Sequence, residues 1–146
     1  MQTFKHILVP TDFDKASAEA LKVAVTMARA FDAKLTLLHV WELPVYPYMD
    51  FMLNSTIISE IEEAAVKGLA EALEDLRKTM PSAESKLKMG LPHQGILDAI
   101  SESGAELVIM GTHGRHGLSR VTLGSVAEKI VRLARVPVLT VHAPES

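Results

Sequence analysis

A chain of 146 residues with 48% hydrophobic content has the length of one ordinary domain and enough apolar surface for a substantial core. A net charge of -3 argues against a nucleic-acid or membrane surface, and the absence of cysteine excludes disulfides, thiolate metal sites and cysteine nucleophiles. No apolar stretch is long enough to cross a bilayer and the opening residues lack the long apolar core of a signal peptide, so one cytoplasmic domain over residues 1–146 is expected.

Residues 4–9 are a short apolar run rich in branched side chains, closed by Pro10-Thr11-Asp12, which predicts a buried strand ending in a turn. Ala16, Ala20, Ala24, Ala28 and Phe31 then recur at helical spacing, with Leu21 and Val25 widening the stripe. Residues 35–40 read as a second buried strand. Strand, helix, strand in that order is a βαβ unit with parallel strands and a right-handed crossover.

Residues 41–52 carry Trp41, Pro44, Tyr46, Pro47, Tyr48 and Phe51 without a clean period, and a loop is expected there. A long helix follows, with Ile57, Ile61, Ala65, Leu69, Ala72, Leu76 and Met80 on one face, and Glu63 with Lys67 and Glu74 with Lys78 spaced as solvent pairs. Residues 85–89 alternate polar and apolar, as an edge strand does. Gly90-Leu91-Pro92 turns the chain into a helix that buries Ile96, Leu97 and Ile100 and stops at Gly104. Residues 105–110 form the next buried strand. After a glycine-rich stretch, a helix over about 123–134 points Val126, Ile130 and Leu133 inward, and residues 137–142 make the last strand.

Five strands alternating with four helices predict an α/β fold, a flavodoxin-like or Rossmann-like sandwich whose parallel sheet has the order 3-2-1-4-5. In that order the switch point lies between the first and fourth strands, and ligands bind beyond the carboxyl ends of the strands there. Pro10-Thr11-Asp12 and the glycine-rich stretch meet at that place. Gly111, Gly114 and Gly117, followed by Gly124-Ser125 at a helix start, are suited to an anion, because glycines admit close backbone approach and a helix start offers N–H groups. Between residues 111 and 135 Arg115, Arg120, Lys129, Arg132 and Arg135 outnumber Glu128, which adds a local positive excess.

Competing chemistries fit less well. A Walker-type loop needs a lysine immediately before its Ser or Thr, and Leu123-Gly124-Ser125 has none. His113 and His116 share a face for a metal only in a helix, and the glycines there oppose one. His39 and His142 fall in strands and read as structural, and His93 after Pro92 has no evident chemical role. Ser125, His113 and Asp12 could make a hydrolytic triad on paper, but Ser125 lacks a nucleophile-elbow context. Asp12 at a strand end also suits a phospho-accepting receiver, which needs an acid cluster and a later lysine that this sequence lacks.

Gly111-x-x-Gly114, nine residues, then Gly124-Ser125 resembles the nucleotide-binding motif of the universal stress protein family, in the form its ATP-binding members carry. Ile7-Leu8-Val9-Pro10-Thr11-Asp12, Leu38-His39-Val40 and Val136-Pro137-Val138-Leu139-Thr140-Val141 are similar to the family's opening, second and closing strands, so the likeness covers essentially the whole chain. The resemblance implies a site for ATP with a divalent cation, Mg or Mn, that includes Pro10 and Thr11. Asp12 would hydrogen-bond the ribose or help hold the phosphate-bound metal ion, and the Val40 backbone would meet the adenine edge. Met110 and Gly111 would line the ribose side, and His113, Gly114 and Arg115 would wrap the phosphates. Gly124, Ser125 and Val126 would close on the phosphate tail. It also implies a homodimer built on the edge strand from Val136 to His142.

One departure from the family pattern stands out: Phe13-Asp14 replaces the small Gly-Ser or similar pair that many members carry. Phe13 is expected to crowd or shape the base pocket, and Asp14 to add negative charge near the phosphates. The first functional reading is a nucleotide-dependent regulator or binding module of the stress response with at most slow hydrolysis. The second is an adenine-nucleotide hydrolase or phosphotransferase on the same fold, and the third a scaffold that binds no nucleotide.

Overall fold

Strands and helices alternate along the chain in a computed structural model that describes residues 3–43, 55–112 and 123–144. The order is β1 (His6–Pro10), α1 (Lys15–Phe31), β2 (Lys34–Trp41), α2 (Ser55–Arg77), β3 (Glu84–Met89), α3 (Pro92–Ser103), β4 (Leu107–Gly111), α4 (Ser125–Leu133) and β5 (Val138–Val141). All neighbouring strands pair in parallel and the sheet order is β3-β2-β1-β4-β5, the order expected from the sequence.

The period of two along β1 divides the core between two helical layers. Ile7 and Val9 face the side covered by α1 and α2, where they meet Ala20, Ala24, Ala28, Leu69 and Leu76. Leu8 faces the other side and packs with Ile96, Ala99, Ala127 and Ile130 of α3 and α4. All three β1 side chains are fully buried, as central strands covered on both faces require. The alanine stripe of α1 lets this helix lie close against the sheet, with Ala20, Ala24 and Ala28 fully buried. Asp14 caps its start by accepting from the Ser17 N–H at 2.8 Å, and Asp32 ends it in the left-handed conformation.

Several details differ from the sequence reading. Trp41 ends β2 and is buried rather than opening a loop, because the strand continues in register against Met89 of β3. The remainder of the expected aromatic loop, residues 44–52, lies outside the described residues. Helix α2 stops at Arg77, so Lys78 leaves the helical spacing and pairs with Asp75 at 3.5 Å instead of Glu74. Leu133 is exposed at the end of α4, and Ala127 takes the inward place beside Ile130, because Ala134 adopts an extended conformation and turns the chain away there. His142 lies just past β5 rather than within it. No helix among the described residues is long and apolar enough to cross a membrane.

The tight seat of α1 carries a consequence for stability. Ala24→Leu adds volume at a fully buried position and is expected to destabilise the protein by about 1–3 kcal/mol. Equilibrium urea denaturation measures this, and an unchanged midpoint would show that α1 is not closely seated.

Candidate functional site

The cleft arises from where the strands stop pairing. Between β1 and β4 the register runs only through Ile7 with Leu107 and Leu8 with Val108. On their outer sides both strands continue further, β1 to Pro10 beside Leu38 and β4 to Gly111 beside Val141. Thr11 N–H then donates to the Leu38 carbonyl at 2.8 Å, and Thr112 N–H to the Val141 carbonyl at 3.0 Å. The two central strands therefore turn toward opposite neighbours at their carboxyl ends, and a crevice opens between them.

That crevice holds about 700 Å³ of open space, its solvent-facing mouth included. Nine of the twelve residues expected at the site line it: Pro10, Thr11, Asp12, Val40, Met110, Gly111, Gly124, Ser125 and Val126. His113, Gly114 and Arg115 lie outside the described residues, as do His116, Gly117 and Arg120. Leu38, Pro92, Ile96, Ser17, Thr112 and Ala127 also line the cleft and were missed in the sequence. A signal for Leu38 was present, since it lies two residues before Val40 and so shares its face of the strand.

One end of the cleft is apolar, with Leu38, Val40, Pro92, Ile96 and Met110 in its wall. Gly95 makes this end possible: a Cβ there would stand 2.8 Å from both Val40 methyl groups, so only glycine lets α3 settle on β2. The other end is the start of α4. Gly124 is the N-cap and supplies no side-chain cap, and it lines the cleft together with Ser125, Val126 and Ala127 of the first turn of this helix. Gly124 N–H itself donates to the Thr112 carbonyl, which ties the far end of the glycine-rich stretch to its beginning. Thr112 is fully buried, and its hydroxyl lies 3.2 Å from His142 Nδ1.

Gly111 has a packing role in addition to its place in the cleft wall. A Cβ at this position would come within 2.7 Å of Ala16 Cβ and 2.8 Å of the Ala16 carbonyl carbon. Its lack of a side chain therefore lets the end of β4 pass the first turn of α1.

Asp12 is fixed on several sides. Its Oδ1 accepts from Ser17 Oγ at 3.0 Å and from the Asp14 N–H at 3.2 Å. Burial raises its carboxyl above the ordinary range, the neighbouring Asp14 raises it further, and the Ser17 hydrogen bond opposes both. Asp14 does not line the cleft, because its carboxylate is engaged as the α1 cap. Phe13 does not line the cleft either. Its backbone takes the left-handed conformation, φ 67°, which throws the ring to the opposite face of the sheet, onto His39 at a centroid distance of 4.4 Å. The expectation that Phe13 shapes the base pocket is thereby corrected, whereas Asp14, although outside the cleft wall, does set its charge beside Asp12.

Fold and site together define a parallel α/β protein with a half-apolar cleft and a helix start at the sheet's switch point. The model of the universal stress protein family matches residues 3–142. Universal stress protein MJ0531 of Methanocaldococcus jannaschii is 32% identical over 149 residues, which cover 97% of this chain and 84% of the relative. The chain belongs to the universal stress protein family.

Among solved structures, protein MJ0577 of the same organism superposes with a TM-score of 0.81 at 26% identity, covering 99% of this chain and all of the other. A universal stress protein in complex with cAMP gives a TM-score of 0.67 at 24% identity, covering 98% of this chain and 100% of that one. An Arabidopsis thaliana family member with AMP bound gives 0.69 at 18% identity, covering 96% and 92%.

The raised carboxyl of Asp12 makes a signed prediction. In acid both folded and unfolded chains hold the proton and Asp12 contributes nothing. As pH rises, the unfolded chain releases it first, near the ordinary value of about 3.9, and the penalty on the folded state grows until the folded carboxyl also ionises and stays at its full size above that pH. Asp12→Asn is therefore expected to stabilise the ligand-free protein at pH 7, by an amount that shrinks toward pH 4. Thermal melts across that range measure it, and a stability gap independent of pH would contradict the assignment.

Proposed function

We propose that the protein binds ATP together with Mg or Mn in this cleft. On this reading residues 1–146 are one nucleotide-binding domain that acts in the cytoplasm as a homodimeric, nucleotide-dependent regulator of the stress response. The observation that carries the reading is the polarity of the cleft, with an apolar slot at one end and an uncapped helix start at the other. An adenine ring suits the slot between Val40, Ile96 and Met110, and a phosphate chain suits the N–H groups at Gly124, Ser125 and Val126.

On this reading Asp12, a lining residue, meets a ribose hydroxyl or a phosphate-bound cation. Neutralising phosphate charge is the chemistry a divalent cation supplies there. Pro10, Thr11 and Gly111 also belong to the cleft wall. His113, Gly114 and Arg115 are assigned to the phosphates through the family motif. The bound cAMP and AMP of two structural neighbours support an adenine nucleotide, and the glycine spacing supports ATP among them.

Slow hydrolysis at most is proposed. Among the described lining residues Asp12 is the one carboxylate and none is a lysine or arginine, so apart from Arg115, which the family motif assigns to the phosphates, the reading places no side-chain cation on a transferring phosphoryl group. A homodimer is supported by β5, whose outer edge pairs with no described strand and whose Leu139 is 38% exposed.

Isothermal titration with Mg-ATP tests the binding. Parent protein is expected to bind, and Gly124→Val to lose at least about tenfold in affinity, a loss of roughly 1.4 kcal/mol, with an unchanged melting temperature. Absence of binding heat at millimolar ATP would refute the reading. Leu139→Lys places a charge on the open edge and should convert dimer to folded monomer by light scattering; a variant that remains dimeric would place the interface elsewhere.

A further inference from the structure

The turn that carries Asp12 is held in a conformation that its own sequence does not favour. Phe13 sits at φ 67°, in the region where a Cβ is disfavoured and glycine is the ordinary occupant. Such a conformation persists only where the surroundings hold it. The surroundings here are specific. The Phe13 ring lies on the His39 ring, and the far side of Phe13 fits against Gly68 of α2, where an added Cβ would stand 3.1 Å from Phe13 Cε2.

His39 belongs to the same assembly. Its Nδ1–H donates to the Thr11 carbonyl at 2.7 Å, one residue before Asp12, and the Phe13 N–H donates to Thr11 Oγ1 at 3.0 Å. A glycine at position 68, inside a long helix, has no local advantage, since glycine is among the weakest helix formers. Its lack of a side chain is explained by the space it leaves for the Phe13 ring.

We infer that Phe13, seated between His39 and Gly68, is a positioning residue that locks the strained turn and so aims Asp12 into the nucleotide cleft. Its ring acts from the opposite face of the sheet, and Phe13 is not itself a lining residue of the cleft. The inference rests on the ATP reading for its effect on affinity. The clamp also makes α2 a participant in the site, because α2 supplies one of its two jaws. Asp14 and Ser17 report on the clamp directly. Their N–H groups donate to Asp12 Oδ1 at 3.2 Å and Asp14 Oδ1 at 2.8 Å, and both bonds depend on the turn.

The test combines amide hydrogen exchange, read by NMR on the ligand-free protein, with Mg-ATP titration of the same variants. Phe13→Gly removes the strain and the clamp together and leaves a turn with more accessible conformations. Exchange at the Asp14 and Ser17 amides is expected to speed up by about tenfold or more, with affinity for ATP falling about five- to tenfold. Phe13→Tyr keeps the ring and should match the parent in both readouts. Gly68→Leu fills the cradle without weakening the helix; it should act like Phe13→Gly in the parent and add nothing in the Phe13→Gly background.

Unchanged exchange in Phe13→Gly, or a Gly68→Leu effect that persists undiminished in that background, would overturn the clamp. Faster exchange with unchanged affinity would overturn its role in positioning Asp12. If the parent itself fails to bind ATP, the proposed function falls, and the exchange measurements still decide whether the clamp exists.

Discussion

The architecture of the site depends on the early end of pairing between β1 and β4. Hydrogen bonding between these strands extends to Leu8 and Val108, whereas each pairs further with its outer neighbour. Divergence of two parallel strands leaves a gap that neither helical layer fills, since α1, which follows β1, and α4, which follows β4, cover opposite faces of the sheet. Every cleft residue is positioned by this geometry. Asp12 follows the end of β1, Gly111 ends β4 with Thr112 directly after it, and Gly124 returns to Thr112 to start α4 beside the cleft.

Close packing at two glycines sharpens the cleft. Gly111 lets β4 pass the first turn of α1, and Gly95 lets α3 rest on Val40. Both are steric requirements between elements distant in sequence. The polar end works differently, because Asp12 is partly buried beside a second carboxylate and held by Ser17. A carboxyl so placed weakens the ligand-free fold at neutral pH. Its retention at the cleft fits a group whose partner is a ligand rather than the rest of the chain.

Much of this was legible in the sequence. Hydrophobic periodicity located all nine elements, and their alternation led to the sheet order and thus to the switch point where Asp12 and Gly111 meet. The family likeness, carried by Gly111, Gly114, Gly124 and Ser125, agrees with the family match over residues 3–142. Contacts between distant elements were not legible. Nothing local to Gly111 tells that its missing side chain faces Ala16, and nothing local to Phe13 tells that a left-handed turn sends its ring to His39 and Gly68. Ser17 escaped notice for a similar reason: it reads as one more small residue on a helix face until the turn brings its hydroxyl to Asp12. The end of α4 misled in its own way, since a period alone does not tell that the helix stops at Leu133 and leaves it exposed.

The central claim is that an adenine nucleotide occupies the crevice between the ends of β1 and β4. Backbone NMR of the labelled protein titrated with Mg-ATP tests it most directly. The account predicts that shift changes concentrate at Thr11, Asp12, Val40, Gly111 and Gly124 through Ala127, while the β3 edge, Lys86 and Lys88, stays still. Changes spread over the surface, or centred away from this crevice, would contradict it.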